Sequence, residues 1–596
     1  MRWASVVTAS LLWINGALGG SGDDIFVRAN QVGFLPGETK QAIAFSRLPH
    51  SNLRFEILDA ATGKRVTGPH RCGPDLGPFG NFSHHYLLDL SSLRRPGVYR
   101  IRLVGTESQS LPFVVSSTAY RRYPSVILSY IRQQRCGYNP FLDEVCHPRD
   151  GRTFEGPVPD GTYIDVTGGW HDAGDYLRYL LTSSNTVARL LLSYRLFPEV
   201  FPDSVDALGH PYPNGIPDVL DEARWGLEWM LKMHPAPNQL YHQVADDRDH
   251  SGWDLPHQDN SDYGWGPGRY RVVYYATGRP QGLGPYKSES DGIANLAGRY
   301  AAAMAMAAQI FATTDPPFAE RCLRAAREVY AMGLLQPGCQ QGTPCRQPYR
   351  YYEATWTDDM EWGAAELFRA TGDSSYLRQA IDFARRTGSF SWMGLDTLRH
   401  YEHYPFFNAG HFALWEVLPG AFRDTLATYY RQGIEALQRR ALRNPYRVGI
   451  PFVWCSNNLA AAAVNQILIY ERMTGDAQYR GLLASHRDWL LGRNPWGVSQ
   501  FVGIPGEGGL TPQHPHSVIA AETGRPIVGG LVDGPVYASI FRSLKGVRLS
   551  GPDRFEAFQS DLVVYHDDLW DYSTNEPTLD GTAEALLFIA AMAAGE

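Results

Sequence analysis

Arg369-Ala-Thr-Gly-Asp373 recurs later in the chain as Arg472-Met-Thr-Gly-Asp476. Each closes a run of helical periodicity, Thr357 to Thr371 and Leu459 to Thr474. In each, a glycine is placed to take the left-handed C-cap conformation and an aspartate to start the next turn. A second helical run follows at once, Ser375 to Thr387 in one case and Gln478 to Leu491 in the other. Two helical hairpins of one design predict others. The same periodicity marks Tyr123 to Arg135, Ser184 to Phe197, Val219 to Met233, Ala294 to Phe311, Phe318 to Met332, Phe422 to Leu442 and Thr582 to Ala594. So many successive hairpins predict an all-α barrel of inner and outer helices over residues 118–596, not a small bundle. Long Gly/Pro/aromatic loops interrupt it at 136–182, 236–290 and 492–577, and loops of that length in a compact domain are where function is expected.

Residues 25–117 read differently. Gln41-Ala-Ile-Ala-Phe45, Arg54-Phe-Glu-Ile-Leu58, His85-Tyr-Leu-Leu-Asp89, Val98-Tyr-Arg-Ile-Arg-Leu103 and Leu111-Pro-Phe-Val-Val115 are short, partly alternating runs. Turn residues at Pro36-Gly37, Thr62-Gly63, Gly73-Pro74 and Pro96-Gly97 separate them, which predicts a β-sandwich. Ahead of it, Arg2, the apolar stretch Val6 to Leu18 and the small residues Ala17, Gly19 and Gly20 fit an export signal over 1–20 and hence a secreted protein. No other segment is long and apolar enough to predict a membrane span. The net charge is −8 without a strong basic run, which argues against nucleic acid as a partner. A monomer is expected.

Five clusters could carry chemistry. Gly168-Gly-Trp-His-Asp-Ala-Gly-Asp175 puts two carboxylates three residues apart among glycines, so Asp172 and Asp175 can converge on one water and deprotonate it. Asp571-Tyr-Ser-Thr-Asn-Glu-Pro-Thr578 holds Glu576 among aromatic neighbours, a setting that raises a carboxyl's pKa and suits a general acid. Arg493, in Gly492-Arg-Asn-Pro-Trp496, and His516, in Gln513-His-Pro-His516, are candidate donors to sugar hydroxyls; Trp170, Trp356 and Tyr572 are candidate stacking surfaces. Cys136, Cys146, His147 and His171 suit a tetrahedral zinc site, with a Cys136–Cys146 disulfide as the rival. Asp246-Asp247-Arg248-Asp249-His250 offers oxygens for calcium or is a solvated acidic loop. A local Cys339–Cys345 disulfide is also expected from their spacing.

Taken together, the order Gly-Gly-Trp-His-Asp-Ala-Gly-Asp, Arg-Asn-Pro, Pro-x-His and finally Asn-Glu before a terminal helix resembles glycoside hydrolase family 9. Val27-Arg-Ala-Asn-Gln-Val-Gly-Phe34 is similar to the start of the immunoglobulin-like domain carried by one branch of that family. The resemblance implies an (α/α)6 barrel with an open cleft and inverting hydrolysis of β-1,4-glucan. It implies Asp175 as base, Asp172 as its partner in positioning water, and Glu576 as acid. It also implies zinc on Cys136, Cys146, His147 and His171, and a possible calcium whose ligands it does not place. His516-Ser517-Val518 departs from the family's frequent His-His-Arg, and Pro577 from the commoner Asn-Glu-Val, which leaves the preferred polysaccharide open.

Three other readings compete. One is an exo-acting β-glycosidase on cello- or glucosamine-type oligosaccharides, for which the 236–290 loop could close one end of the cleft. Another is a carbohydrate-binding protein without catalysis, which the three acidic residues argue against. A polysaccharide lyase needs a base for C5–H and a neutralising cation, and two Asp plus a Glu fit that poorly.

Overall fold

The computed structural model describes residues 25–251, 254–266, 270–545 and 547–596. The expected export signal, 1–20, lies outside them.

The first domain is a two-layer sandwich. Ile25–Arg28, Gln41–Ser46 and His84–Asp89 form one antiparallel sheet; Arg65–Arg71, Arg54–Asp59, Gly97–Leu103 and Phe113–Val115, in that order, form the other. Alternation sets the packing. Tyr99, Ile101 and Leu103 turn inward from one strand onto Phe34, Phe55 and Ile57, giving this domain its own core. The strand Arg65–Arg71 was not expected from the sequence, since Gly68-Pro69 interrupts its alternation. It lies at the sheet edge with a register shift against its partner, where a residue without an N–H is tolerated.

The second domain is a closed double ring of helices. Leu180–Leu196, Ala294–Ile310, Thr357–Thr371, Ala409–Val417, Ser456–Thr474 and Leu579–Ala594 form the inner ring, each touching the next and the last touching the first. Tyr123–Gln133, Asp218–Lys232, Pro316–Leu335, Ser374–Thr387, Phe422–Ala441 and Arg480–Leu490 alternate with them in sequence and cover the outside. Composition decides which ring a helix joins. Inner helices are buried almost all round, as over Leu180–Ser193 and Ala294–Ala308. In the outer helix Ser374–Thr387 only Ala380, Phe383, Ala384 and Thr387 are buried. Small residues let inner helices approach: a Cβ on Gly363 would lie 2.7 Å from the Gly298 carbonyl oxygen of the neighbouring helix. Gly372 and Gly475 close their helices at φ 71° and 73°, and Asp373 accepts a 2.8 Å hydrogen bond from the Ser375 N–H. The hairpin motif therefore does what its residues imply. Ala409–Val417 was missed: nine residues, apolar on most sides, carry too little periodicity to separate from the aromatic loop before them.

The two domains share a boundary of apolar and polar contacts. Val32, Leu35, Ile43, Phe45, Phe79 and Phe82 belong to the same core as the barrel. Asn30 donates to Asp488 (2.8 Å) and Tyr120 (2.9 Å), and Glu38 pairs with buried Arg487.

Candidate active site

Alternating hairpins send all six inner helices the same way, so the loops entering them meet at one mouth. Asp172 and Asp175 precede Leu180–Leu196; Tyr351 precedes Thr357–Thr371; Tyr401 precedes Ala409–Val417; Trp454 and Cys455 precede Ser456–Thr474; Glu576 precedes Leu579–Ala594. Hydrogen bonds tie these loops together. The Leu579 N–H donates to the Asp172 carbonyl at 2.9 Å, and the Gly174 N–H donates to Glu576 Oε1 at 2.9 Å. Glu576 thus sits against the backbone between the two aspartates, across 402 residues of sequence. Only glycine fits at 174, because a Cβ there would come within 2.5 Å of the His516 carbonyl oxygen and 2.9 Å of Glu576 Oε1.

The three carboxyls differ in setting. Asp172 is buried, 4% exposed, and both its oxygens accept hydroxyls, one from Thr182 and the other from Tyr351. Burial, with the Asp580 carboxyl adding repulsion, pushes its pKa up to about 8. Asp175 is half-buried and accepts the Leu177 N–H at 3.1 Å. Glu576 leaves 15% of its side chain open, and burial first, then the Asp533 and Asp175 carboxyls, hold it well above the usual carboxyl range. His516 donates Nδ1–H to the Leu569 carbonyl at 2.6 Å, which turns Nε2 toward Glu576 Oε1 at 4.0 Å.

Aromatic rings line this mouth. Tyr572 lies against Trp454 at 5.6 Å between centroids and against His516 at 6.0 Å; Trp454 in turn meets His400 at 5.6 Å, and His400 stacks on Tyr351 at 5.5 Å. Of these, the sequence singled out only Tyr572 and His516. Tyr351, His400 and Trp454 stand in segments without a local motif. The signal that marks them is position, a few residues ahead of an inner helix or in the loop that enters one.

Two predicted sugar contacts are corrected. Trp170 is 0% exposed, donates its indole N–H to Glu222 at 2.8 Å and packs where a Cβ on Gly226 would sit 2.2 Å from its ring. Arg493 is likewise 0% exposed, spent on the carbonyls of Tyr446 (3.0 Å) and Ser485 (3.3 Å). Its loop docks the sandwich instead: the Gln31 amide reaches the Gly497 carbonyl at 2.7 Å, and Gln31 approaches Gly492 too closely for any side chain there. Trp356 is half-buried, edge-on to Phe383 at 5.9 Å with the Arg386 guanidinium 4.8 Å over its ring, so it packs within its helical hairpin. Ser517 caps the short helix Val518–Thr523, accepting from the Ala520 N–H.

Beside the aspartate loop, Cys136, Cys146, His147 and His171 present four buried donor atoms within 4.8 Å of one another. Cys136 Sγ stands 3.7 Å from Cys146 Sγ and 3.5 Å from His147 Nδ1; Cys146 Sγ stands 3.8 Å from His171 Nε2. A tetrahedron of metal–sulfur bonds near 2.3 Å has edges of about 3.8 Å. The spacing therefore fits a four-coordinate metal and not a disulfide. His147 uses its other nitrogen on Asp259 Oδ2 at 3.1 Å, the outer contact that orients a ligating imidazole.

The acidic run 246–249 is neither solvated nor open. Asp246 takes Arg248 (2.7 Å) and the Tyr274 hydroxyl (2.6 Å), Asp247 takes the Arg346 N–H, and Asp249 takes Arg271 (2.7 Å) and Tyr263 (2.6 Å). Those pairings use the carboxylate oxygens that calcium would need; the side chain of His250 lies outside the described residues. Asp246, Asp247 and Cys345 do bring one ligand atom each together. None of the seven cysteines is in a disulfide, so the expected Cys339–Cys345 bridge is absent; Cys339 donates to the Thr355 carbonyl at 3.2 Å.

Residues 120–589 match the family described as Glycosyl hydrolase family 9, and residues 24–108 match the Cellulase N-terminal ig-like domain. The chain belongs to glycosyl hydrolase family 9. A xyloglucan-specific endo-beta-1,4-glucanase of Bacteroides ovatus is 27% identical over 554 residues, covering 85% of each chain. Endoglucanase D of Acetivibrio thermocellus is 24% identical over 86% of this chain and 78% of its own. Among solved structures, a metagenome-derived family 9 endoglucanase superposes with a TM-score of 0.77 at 28% identity, over 96% of this chain and 99% of that one. A Zn-binding triple mutant of the family 9 endoglucanase J30 follows at 0.74 and 25%, over 94% and 99%. Family 9 membership makes the chain a glycoside hydrolase of cellulase type acting on polysaccharide, with the immunoglobulin-like domain ahead of the helical barrel.

Proposed function

We propose that this family 9 enzyme cleaves β-1,4-glucosidic bonds of cellulose or a related β-glucan with inversion, Glu576 acting as acid and Asp175 as base. The Gly174 N–H bond to Glu576 carries this reading, since it brings the terminal acid and the paired aspartates into one mouth. In the proposed step, Glu576 gives its proton to the glycosidic oxygen as that bond breaks. A water on the opposite face of the ring loses a proton to Asp175 as its oxygen bonds to the anomeric carbon. Asp172, saturated by Thr182 and Tyr351, holds the geometry around that water. Tyr572 and Trp454 offer the sugar rings an aromatic wall.

Zinc is the metal proposed for Cys136, Cys146, His147 and His171, since two thiolates and two imidazoles in a closed tetrahedron suit a structural ion. Such an ion would cross-link the loop carrying Asp172 and take no part in the reaction. The positively charged Arg2 and the apolar stretch after it support a secreted enzyme; among the described residues no helix is long and apolar enough to cross a membrane. A monomer is proposed.

Glu576→Gln and Asp175→Asn test the assignment. Each is expected to lower kcat by about 10²–10⁴-fold, the scale of a lost acid or base, with the fold intact by circular dichroism. Near-normal turnover in either folded variant removes that residue from its role.

A further inference from the structure

Asp533 is a fourth carboxyl at this mouth, and neither the motifs nor the proposed step use it. It is 0% exposed. Its backbone N–H donates to the Glu576 carbonyl at 2.9 Å, so the two residues lie side by side on neighbouring strands of loop. Both of its carboxylate oxygens are accepting: Oδ2 takes the Trp454 indole N–H at 2.9 Å and Oδ1 takes the Cys455 thiol at 3.2 Å. An indole N–H can only donate. These two donors favour the ionised form of Asp533, and a proton there would have to share an oxygen that already holds a donor, whereas Glu576 accepts a single backbone N–H on Oε1 and keeps Oε2 for a proton.

Resting on the acid role of Glu576, we propose that Asp533 is a positioning residue of the reaction: clamped between Trp454 and Cys455, it stays ionised and keeps the shared proton on Glu576, while fixing Trp454 against Tyr572. Two buried carboxyls on paired backbones repel each other's charge, and the one with more donors ionises first. Burial and the Asp533 charge act on Glu576 in the same upward direction. The other groups facing Glu576 are the Asp175 and Asp172 carboxyls, the His516 imidazole, the Tyr130 and Tyr572 phenols and the Cys455 thiol. Burial pushes Asp533 up as well, and the Cys455 and Trp454 donors pull it back down; Asp580, Asp571 and Tyr130 also face it. Asp533 is the one among these that pairs its backbone with Glu576 and has a donor on each oxygen.

The test is kcat/KM against pH on a soluble β-glucan for wild type, Asp533→Asn, Cys455→Ala and Glu576→Gln. Removing the charge lowers the pH at which Glu576 loses its proton. Asp533→Asn should therefore move the alkaline limb down by about one pH unit or more, a tenfold loss there that shrinks toward acid pH. KM should change little, because the amide oxygen still accepts from Trp454. Cys455→Ala strips one donor but leaves the charge, so it should shift part of the proton to Asp533 and lower kcat/KM by a similar factor across the pH range with the alkaline limb in place; it decides the matter if the Asn variant does not fold. An unmoved limb or a loss equal at every pH in Asp533→Asn, or wild-type kcat/KM in Cys455→Ala, overturns the proposal. Full activity in Glu576→Gln would instead sink the acid assignment on which it stands.

Discussion

At the mouth of the barrel, single atoms decide function. Gly174 has no side chain because two oxygens occupy the space one would need, the His516 carbonyl and Glu576 Oε1. Gly174→Ala should push Glu576 and the His516 backbone aside and lower kcat by about 10²-fold, the cost of a displacement near 1 Å at a reacting group. Thermal unfolding of the variant should stay within a few degrees of wild type; a normal kcat would show that the contact does not position Glu576. Asp172 shows why a motif does not reveal roles evenly. The sequence places it next to Asp175, but its partners Thr182 and Tyr351 come from an inner helix and a distant loop. Trp170 misled for the opposite reason. It stands beside Asp172 and Asp175 in sequence, yet its alternation along the loop turns it inward to Glu222.

At the scale of elements, the hairpin punctuation was readable because Gly372 and Gly475 need φ values that glycine tolerates at no cost. The short inner helix Ala409–Val417 was not, because a uniformly buried helix lacks a polar face. The same logic explains the missed aromatic wall. Tyr351, His400 and Trp454 are made neighbours by ring closure, which no local window contains. The metal loop is an element in its own right, joining the Asp172 segment to 136–147 and, through Asp259, to 254–266. Dialysis against a strong chelator should remove one zinc per chain by elemental analysis and lower the Tm. Asp259→Ala should weaken zinc binding by about 10–100-fold, measured by competition with a colorimetric chelator. A chain purified without metal and insensitive to chelation would contradict the zinc assignment.

Across the whole molecule, the sandwich is part of the barrel's packing and not a tethered accessory. Its Phe45, Phe79 and Phe82 share the barrel core, and Asn30 accepts two backbone N–H groups while donating to Asp488. Asn30→Ala leaves those groups unpaired and should cost about 2 kcal/mol or more. Calorimetry should show the two domains melting in one transition; separate transitions would mean that the interface contributes little. The division into sandwich and barrel was legible from the change of period near residue 117. The docking surface was not, because Gly492 to Trp496 reads equally well as a cleft loop until Gln31 is seen against it. Both levels serve one arrangement, Glu576 and the two aspartates brought to one mouth by a closed ring of helices. The most direct measurement is the anomeric configuration of the first product, followed by NMR during hydrolysis of a soluble β-1,4-glucan. The α-anomer appearing first is the result this account predicts; the β-anomer appearing first would contradict the direct attack of water assigned to Asp175.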